Sequence, residues 1–247
     1  MSKVERKTSF GDRVVSPEEK TRLVGGVFDS VADRYDLMND FMSLGSHRLL
    51  KRLTVEMAGV RNGHRVLDLA GGTGDLARLM APLAGGRGAV VLADINAAML
   101  EAGRDRLLDR GTAEVRFCRA AAEALPFAAD GFDRVLIGFG LRNFTDKQAA
   151  LVEIRRVLKP GGVLLILEFS RPVNPLLEGL SSGWQALWPA AGRLIAGDSG
   201  SYRYLVESIR RHPAQEALKL MMEDAQFAEV EYHNLLGGVA AIHRGVA

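Results

Sequence analysis

The run Val66-Leu67-Asp68-Leu69, followed at once by Ala70-Gly71-Gly72-Thr73-Gly74 and then by Asp75 to Leu83, restricts the fold of this chain more than any other stretch. A short apolar run bounded by glycines reads as a buried strand, and the 3.6-residue spacing after it reads as a helix. The pattern repeats downstream. Ala89 to Ala93 is a second strand ending in Asp94, and Asn96 caps a helix that carries Met99, Leu100, Leu107 and Leu108 and stops at Gly111. Val115-Arg116-Phe117, Phe132 to Gly138 and Val163 to Phe169 read as further strands. A helix from Lys147 to Leu158 precedes the last of them, with Lys159-Pro160-Gly161-Gly162 as the turn. Strand and helix alternating at these intervals predict an α/β fold with a parallel sheet covered on both faces.

The two ends depart from that alternation. Ser16-Pro17-Glu18-Glu19 is a helix start, and the helical pattern runs on to Val60 with Val24, Val27, Phe28, Val31 and Ala32 on one face and a break at Gly45. Residues 1–60 therefore read as a helical cap rather than as part of a sheet. Pro213 to Ala225 is a helix, and Val230 to Leu235 and Val239 to His243 are strands joined across Gly237-Gly238, a hairpin signal. With 247 residues, one domain is expected: the cap, a core over 61–172, an apolar insertion over 173–212, and the last helix with its hairpin over 213–247.

The net charge of +2 gives no general attraction to nucleic acid. The single cysteine, Cys118, cannot form an internal disulfide, and no Cys/His cluster has metal spacing. The charged start (Lys3, Glu5, Arg6, Lys7) shows no signal peptide, and the longest apolar run, Val163 to Leu167, is too short to span a bilayer. A cytoplasmic setting is expected.

Glycines between strand and helix let a ligand approach the backbone, and the helix N-terminus offers unpaired N–H groups. Asp94, at the end of the next strand, can accept both hydroxyls of a ribose. A dinucleotide is the rival reading, since Gly72-Thr73-Gly74-Asp75-Leu76-Ala77 matches G-x-G-x-x-A literally. Three features favour adenosylmethionine. Asp68 stands where it could meet an ammonium or sulfonium. Asp75 at the helix start would repel a pyrophosphate. The terminal hairpin is foreign to dinucleotide folds, which continue with parallel strands.

Val66 to Asp75, Ala93-Asp94-Ile95-Asn96 and Glu123-Ala124-Leu125-Pro126-Phe127 resemble the class I methyltransferases. More narrowly, Tyr35-Asp36-Leu37-Met38-Asn39-Asp40, Phe139-Gly140-Leu141-Arg142-Asn143, Leu167-Glu168-Phe169-Ser170, Ser201-Tyr202-Arg203-Tyr204-Leu205 and Ala241-Ile242-His243-Arg244-Gly245 resemble the ubiquinone/menaquinone biosynthesis C-methyltransferases. The likeness spans residues 9–245. It implies a Rossmann-like, mostly parallel seven-stranded sheet with an antiparallel last strand, and S-adenosyl-L-methionine as cofactor. Contacts are implied at Thr73, Asp94 and the pair Ala121-Ala122, in a site that also takes in Asp68, Gly72, Gly74, Ile95 and Gly138. Two positions depart from the family pattern: Ala121 stands where relatives commonly carry Asn or Asp, and Gly138 where they often carry Ser. Loss of a polar group at 121 removes about 1 kcal/mol of net hydrogen bonding, although the Ala122 N–H remains.

The acceptor implied is a polyprenylated quinol, whose ring carbon becomes nucleophilic only when a neighbouring hydroxyl loses its proton. Arg142, after the fourth strand and permanently charged, is the first candidate to hold that oxyanion, with a water to relay the proton. Tyr35 and Asp36 join it as catalytic candidates on the cap. Asn39, His47, Asn143, Trp184, Trp188 and Tyr202 are candidates for the acceptor, since the Trp- and Leu-rich insertion suits a prenyl tail. Peripheral contact with the inner membrane face, a quinone-biosynthesis complex and a homodimer are compatible expectations. A methyltransferase for another hydrophobic acceptor, a dinucleotide-dependent oxidoreductase and a noncatalytic assembly subunit are the alternatives.

Overall fold

The computed structural model describes residues 7–31, 35–112, 114–196 and 198–247, the side chains of 31–38 and 194–196 excepted. Its first element corrects the all-helical reading of residues 1–60. β1 (Thr8–Phe10) and β2 (Arg13–Val15) pair antiparallel about Gly11, whose φ is +54°. Three-residue strands are too short to display a period of two, and this pair is fixed from outside. Phe10 stacks on Tyr204 with ring centroids 4.2 Å apart, and the Thr8 hydroxyl donates to the Thr145 carbonyl at 3.0 Å.

The cap helices follow. α1 (Pro17–Val31) begins as its sequence predicts, with Ser16 Oγ accepting the Glu19 N–H at 3.1 Å. Val31 and Ala32, read as part of its apolar face, lie outside the described side chains. α2 (Tyr35–Ser43) and α3 (Ser46–Ala58) are separated at Gly45, φ +76°.

The main sheet comprises β3 (Arg65–Leu69), β4 (Ala89–Asp94), β5 (Val115–Arg119), β6 (Phe132–Gly138), β7 (Leu158–Phe169), β8 (Ala228–Leu235) and β9 (Ala240–Val246), in the order β5-β4-β3-β6-β7-β9-β8. β3 to β7 run parallel, while β9 is antiparallel to both neighbours. These are the seven strands read from the sequence, hairpin included, although β7 already starts at Leu158, which had been read as the end of the preceding helix.

Both faces are buried, so alternate residues of one strand enter different cores. Leu67 and Leu69 of β3 pack with Ile154 of α6 (Lys147–Val157) and Met222 of α9 (Gln215–Asp224). Val66 packs on the opposite face with Leu76 and Met80 of α4 (Asp75–Ala84) and Leu107 of α5 (Ala97–Asp109). The insertion is α7 (Pro175–Ala196) and α8 (Gly200–Arg211). Its own core joins Trp188, Tyr202 and Ile209 to Phe41, Met42 and Trp184, tying both helices to α2. Among the described residues no helix is long and apolar enough to cross a membrane.

The strand order reverses between β3 and β6. In open α/β sheets the crevice at the carboxyl ends of such a pair is where ligands sit. Both candidate sites lie there.

Candidate active site

The first site is a cleft of about 80 Å³ lined by turns that follow the strands: Leu69, Ala70 and Gly72 after β3, Asp94 and Ile95 after β4, Ala120 and Ala122 after β5, and Gly138 to Gly140 after β6. The loop after β3 turns through left-handed conformations, φ +54° at Ala70 and Gly72 and +80° at Gly74. At Gly74 a side chain is excluded twice over, since a Cβ would also stand 2.9 Å from Leu107 Cδ1. Asp94 fixes this loop: Oδ2 accepts the Gly72 N–H at 3.0 Å and Oδ1 accepts the Asn96 N–H at 2.9 Å. Burial raises the Asp94 pKa, and those N–H donors oppose the rise. Each carboxylate oxygen keeps a lone pair for a ribose hydroxyl. α1 roofs the cleft with Val24, Gly25 and Phe28, and Asn96 latches it by donating to Asp29 Oδ1 at 2.8 Å.

The second site is an apolar cavity of about 350 Å³ between α2, α3, α7 and α8. Asn39, His47, Arg142, Asn143, Trp184, Trp188 and Tyr202 all line it, so the structure brings together every described residue that the sequence offered for the acceptor, with Arg142 beside them. The Trp184 indole donates to the Met42 carbonyl at 2.9 Å, leaving its ring as wall. His47 Nε2 pairs with Asp40 Oδ1 at 2.8 Å. Burial nevertheless holds its pKa below the ordinary value, which keeps it a neutral wall residue. The side chains of Tyr35 and Asp36 lie outside the described residues.

Phe28, Phe139 and Asn143 line both sites, so the cleft and the cavity meet at these three side chains. Beside that junction is a 3₁₀ turn, Leu141–Asn143. Arg142 is buried there against Glu168 at the end of β7. Its Nη1 meets Glu168 Oε1 at 3.0 Å and the Phe139 carbonyl, and its backbone N–H donates to Glu168 Oε2 at 3.1 Å. Arg142 Nε, also buried, has no hydrogen-bond partner.

Several predicted cofactor residues sit elsewhere. Asp68 is on the α4 face of the sheet, fully buried, with Oδ2 accepting the Ala77 N–H at 2.8 Å. Burial pushes its pKa up to about 7. Thr73 Oγ1 accepts from Arg106 at 2.9 Å, and Gly74 forms the N-cap of α4. None of these three, nor Ala121, lines the cleft, whereas Gly72, Asp94, Ile95, Ala122 and Gly138 do. Sequence reasoning passed over Glu168 and Tyr204. A carboxylate inside the apolar run of β7 was the available signal for the first, because a buried charge demands a partner. Tyr204 carried no such mark beyond its place in the motif Ser201-Tyr202-Arg203-Tyr204-Leu205. Lys51 was also missed. It lines the cavity and donates to Asp75 Oδ2 at 2.6 Å, linking the cavity wall to the glycine loop. Lys51 and Arg106 outweigh burial and hold the Asp75 pKa at about 2.

An antiparallel β9 beside five parallel strands, with an acidic residue closing β4 over a glycine loop, defines a class I methyltransferase rather than a dinucleotide-binding fold. A SAM-dependent methyltransferase from Thermotoga maritima superposes with a TM-score of 0.61 at 20% identity, over 90% of this chain and 98% of that one, which shows the shared fold. The model of the ubiE/COQ5 methyltransferase family matches residues 14–247, and the chain belongs to that family. Among curated relatives, the ubiquinone/menaquinone biosynthesis C-methyltransferase UbiE of Ectopseudomonas mendocina is 57% identical, covering 97% of this chain and 94% of its own length. The UbiE of Azotobacter vinelandii is 56% identical over 99% and 97%.

Proposed function

We propose that this chain is an S-adenosylmethionine-dependent C-methyltransferase that methylates a ring carbon of a polyprenylated quinol, a benzoquinol or a demethylmenaquinol, in ubiquinone/menaquinone biosynthesis. One observation carries the reading: a cleft holding the Asp94 carboxylate over the glycine loop and an apolar cavity share a wall at Phe28, Phe139 and Asn143.

The donor set suits the cofactor. Asp94 accepts the ribose hydroxyls, Ile95 and Ala122 flank the adenine, and the Gly72 turn with Gly138 offers backbone without side-chain obstruction. Thr73, Gly74, Asp68 and Ala121 act from behind this wall. α1 roofs this space, held over it by the Asn96–Asp29 latch. When bound, the cofactor supplies an electrophilic methyl group. Everything else falls to the chain. The cavity takes the quinol ring at the junction and the prenyl tail along Trp184 and Trp188. Arg142 stabilises the ring oxyanion, and Asn143, beside it on the same turn, donates to a ring oxygen. Apolar walls keep bulk water from the reacting carbon. Asn39 and His47 complete the acceptor side, and Tyr35 and Asp36, at the start of α2, are further catalytic residues of this proposal. Leu44, Leu180 and Leu236 line the cavity while 77%, 64% and 55% exposed, so its mouth faces a lipid surface from which a long-tailed acceptor can enter.

Arg142→Ala tests this assignment, alongside Arg142→Ala/Glu168→Gln, which leaves no unpaired charge buried. The expected result is a fall in kcat of about 10²–10³-fold with both variants, with S-adenosylhomocysteine affinity unchanged. Short-tailed quinols in solution and long-tailed ones in vesicles form the two substrate arms. Undiminished turnover by the variants removes Arg142 from the mechanism. Absence of turnover by the wild type on every quinol sinks the acceptor assignment.

A further inference from the structure

The turn that carries Arg142 and Asn143 is gripped residue by residue from different elements. Glu168 of β7 holds Arg142, Lys20 of α1 donates to the Phe144 carbonyl at 2.7 Å, and Thr8 of β1 donates to the Thr145 carbonyl. The fourth grip is a side chain. The Tyr204 hydroxyl, reaching across from α8, lies 3.0 Å from Asn143 Oδ1. A carboxamide oxygen only accepts, so the tyrosine donates across this contact. With Oδ1 on Tyr204, the Nδ2 donors are left for other partners, and Asn143 lines the junction of cleft and cavity.

From this we infer that Tyr204 is a positioning residue, which sets the Asn143 amide so that its NH₂ donates to the acceptor's ring oxygen beside Arg142. The inference rests on the acceptor chemistry proposed above. Three further features support it. Tyr204 is buried, and burial raises its pKa to about 12, so the hydroxyl stays a donor at every working pH. Its ring is clamped against Phe10 with an interplanar angle of 13°, which gives the β1–β2 hairpin a task. Glu168 does for Arg142 what Tyr204 does for Asn143. Two adjacent donors are thus each set by a separate partner, and a substrate oxygen between them meets a charged and a neutral donor without reorganisation.

Tyr204→Phe removes the hydroxyl and keeps the ring stack. The expected effect is a fall in kcat of about tenfold, the scale of one misplaced hydrogen bond, with the acceptor KM, S-adenosylhomocysteine affinity and Tm little changed. In an Asn143→Ala background the same change is expected to cost nothing more, because the amide it sets is gone. Asn143→Asp still accepts from Tyr204 but cannot donate, and is expected to fall as far as Asn143→Ala. The Asn143 side-chain amide resonances, assigned through their loss in Asn143→Ala, are expected to shift in Tyr204→Phe without any acceptor present. Equal losses in both backgrounds, full activity of Asn143→Asp, or unmoved resonances would overturn the inference. Wild-type protein inactive on all quinols is a different failure: it removes the acceptor reading, and the resonances then still report whether Tyr204 sets the amide.

Discussion

The cleft beneath α1 is walled by backbone turns, each lying immediately after a strand, and encloses about 80 Å³. The acceptor cavity beside it encloses about 350 Å³ and is walled largely by side chains of two helix pairs, α2–α3 and α7–α8, that lie far apart in the chain. The first is shaped by where strands end, and its geometry is inherited from the sheet. The second is shaped mainly by how α7 and α8 pack on α2 and α3, with the ends of β6, β7 and β9 as its floor. A family that keeps its methyl donor and varies its acceptor gains from that separation. Among the described residues, Phe28, Phe139 and Asn143 at the junction cross the divide, as does Lys51 through its pair with Asp75.

The separation can be broken most forcefully at Trp188. This side chain is buried in the insertion's own core with Tyr202 and Ile209 and has no hydrogen-bond partner for its indole nitrogen. Trp188→Ala is expected to lower unfolding free energy by about 3–5 kcal/mol, as large-to-small changes in cores do. S-adenosylhomocysteine affinity should stay within a factor of about two at temperatures where the variant is folded. Urea denaturation and calorimetric titration read the two quantities. A large loss of cofactor-product affinity would show that cleft and cavity form one unit.

Asp94 is the converse case. Asp94→Ala removes a charged acceptor for two hydroxyls and also frees the Gly72 N–H. Each hydrogen bond to a charged group contributes about 1.5–3 kcal/mol, so loss of even one is expected to lower S-adenosylhomocysteine affinity about 10- to 150-fold. The cavity should be unaffected, which the indole fluorescence of Trp184 and Trp188 with a bound prenyl quinol can report. Unchanged affinity would move the ribose away from Asp94.

The contrast also explains what the sequence made legible. The glycine loop and Asp94 are local signals, each contained in a few consecutive residues, and all seven main-sheet strands followed from apolar runs between turn residues. Acceptor residues such as Trp184 and Asn39 were reachable only through the family resemblance, because their meeting depends on helix packing that no local period encodes. The β1–β2 hairpin was missed for the same reason: its three-residue strands are fixed by Phe10 on Tyr204, a contact across nearly the whole chain. Asp68 shows the opposite failure. Its place before the glycines suggested a ligand contact, yet strand alternation puts it on the face opposite Leu67 and Leu69, against α4.

That placement yields the smallest effect and the sharpest test of where the cleft ends. Asp68 Oδ1 is buried without a partner, and burial raises the carboxyl pKa from 3.8 to about 7, with the Ala77 N–H and Lys51 pulling it back. The folded state therefore keeps the proton to higher pH than the unfolded chain does. The stability linked to this group is fully present below the unfolded value and is lost as pH rises through about 7. Asp68→Asn cannot titrate. Its Tm relative to wild type is expected to shift in the variant's favour between pH 5 and pH 8, read by scanning calorimetry in steps across that window. A difference independent of pH would mean that Asp68 is ionised throughout. Titration with S-adenosylhomocysteine on the same samples decides its other role. Unaltered affinity keeps Asp68 beneath the loop as a structural group, whereas a loss of tenfold or more would extend the cofactor site through the loop to the α4 face of the sheet.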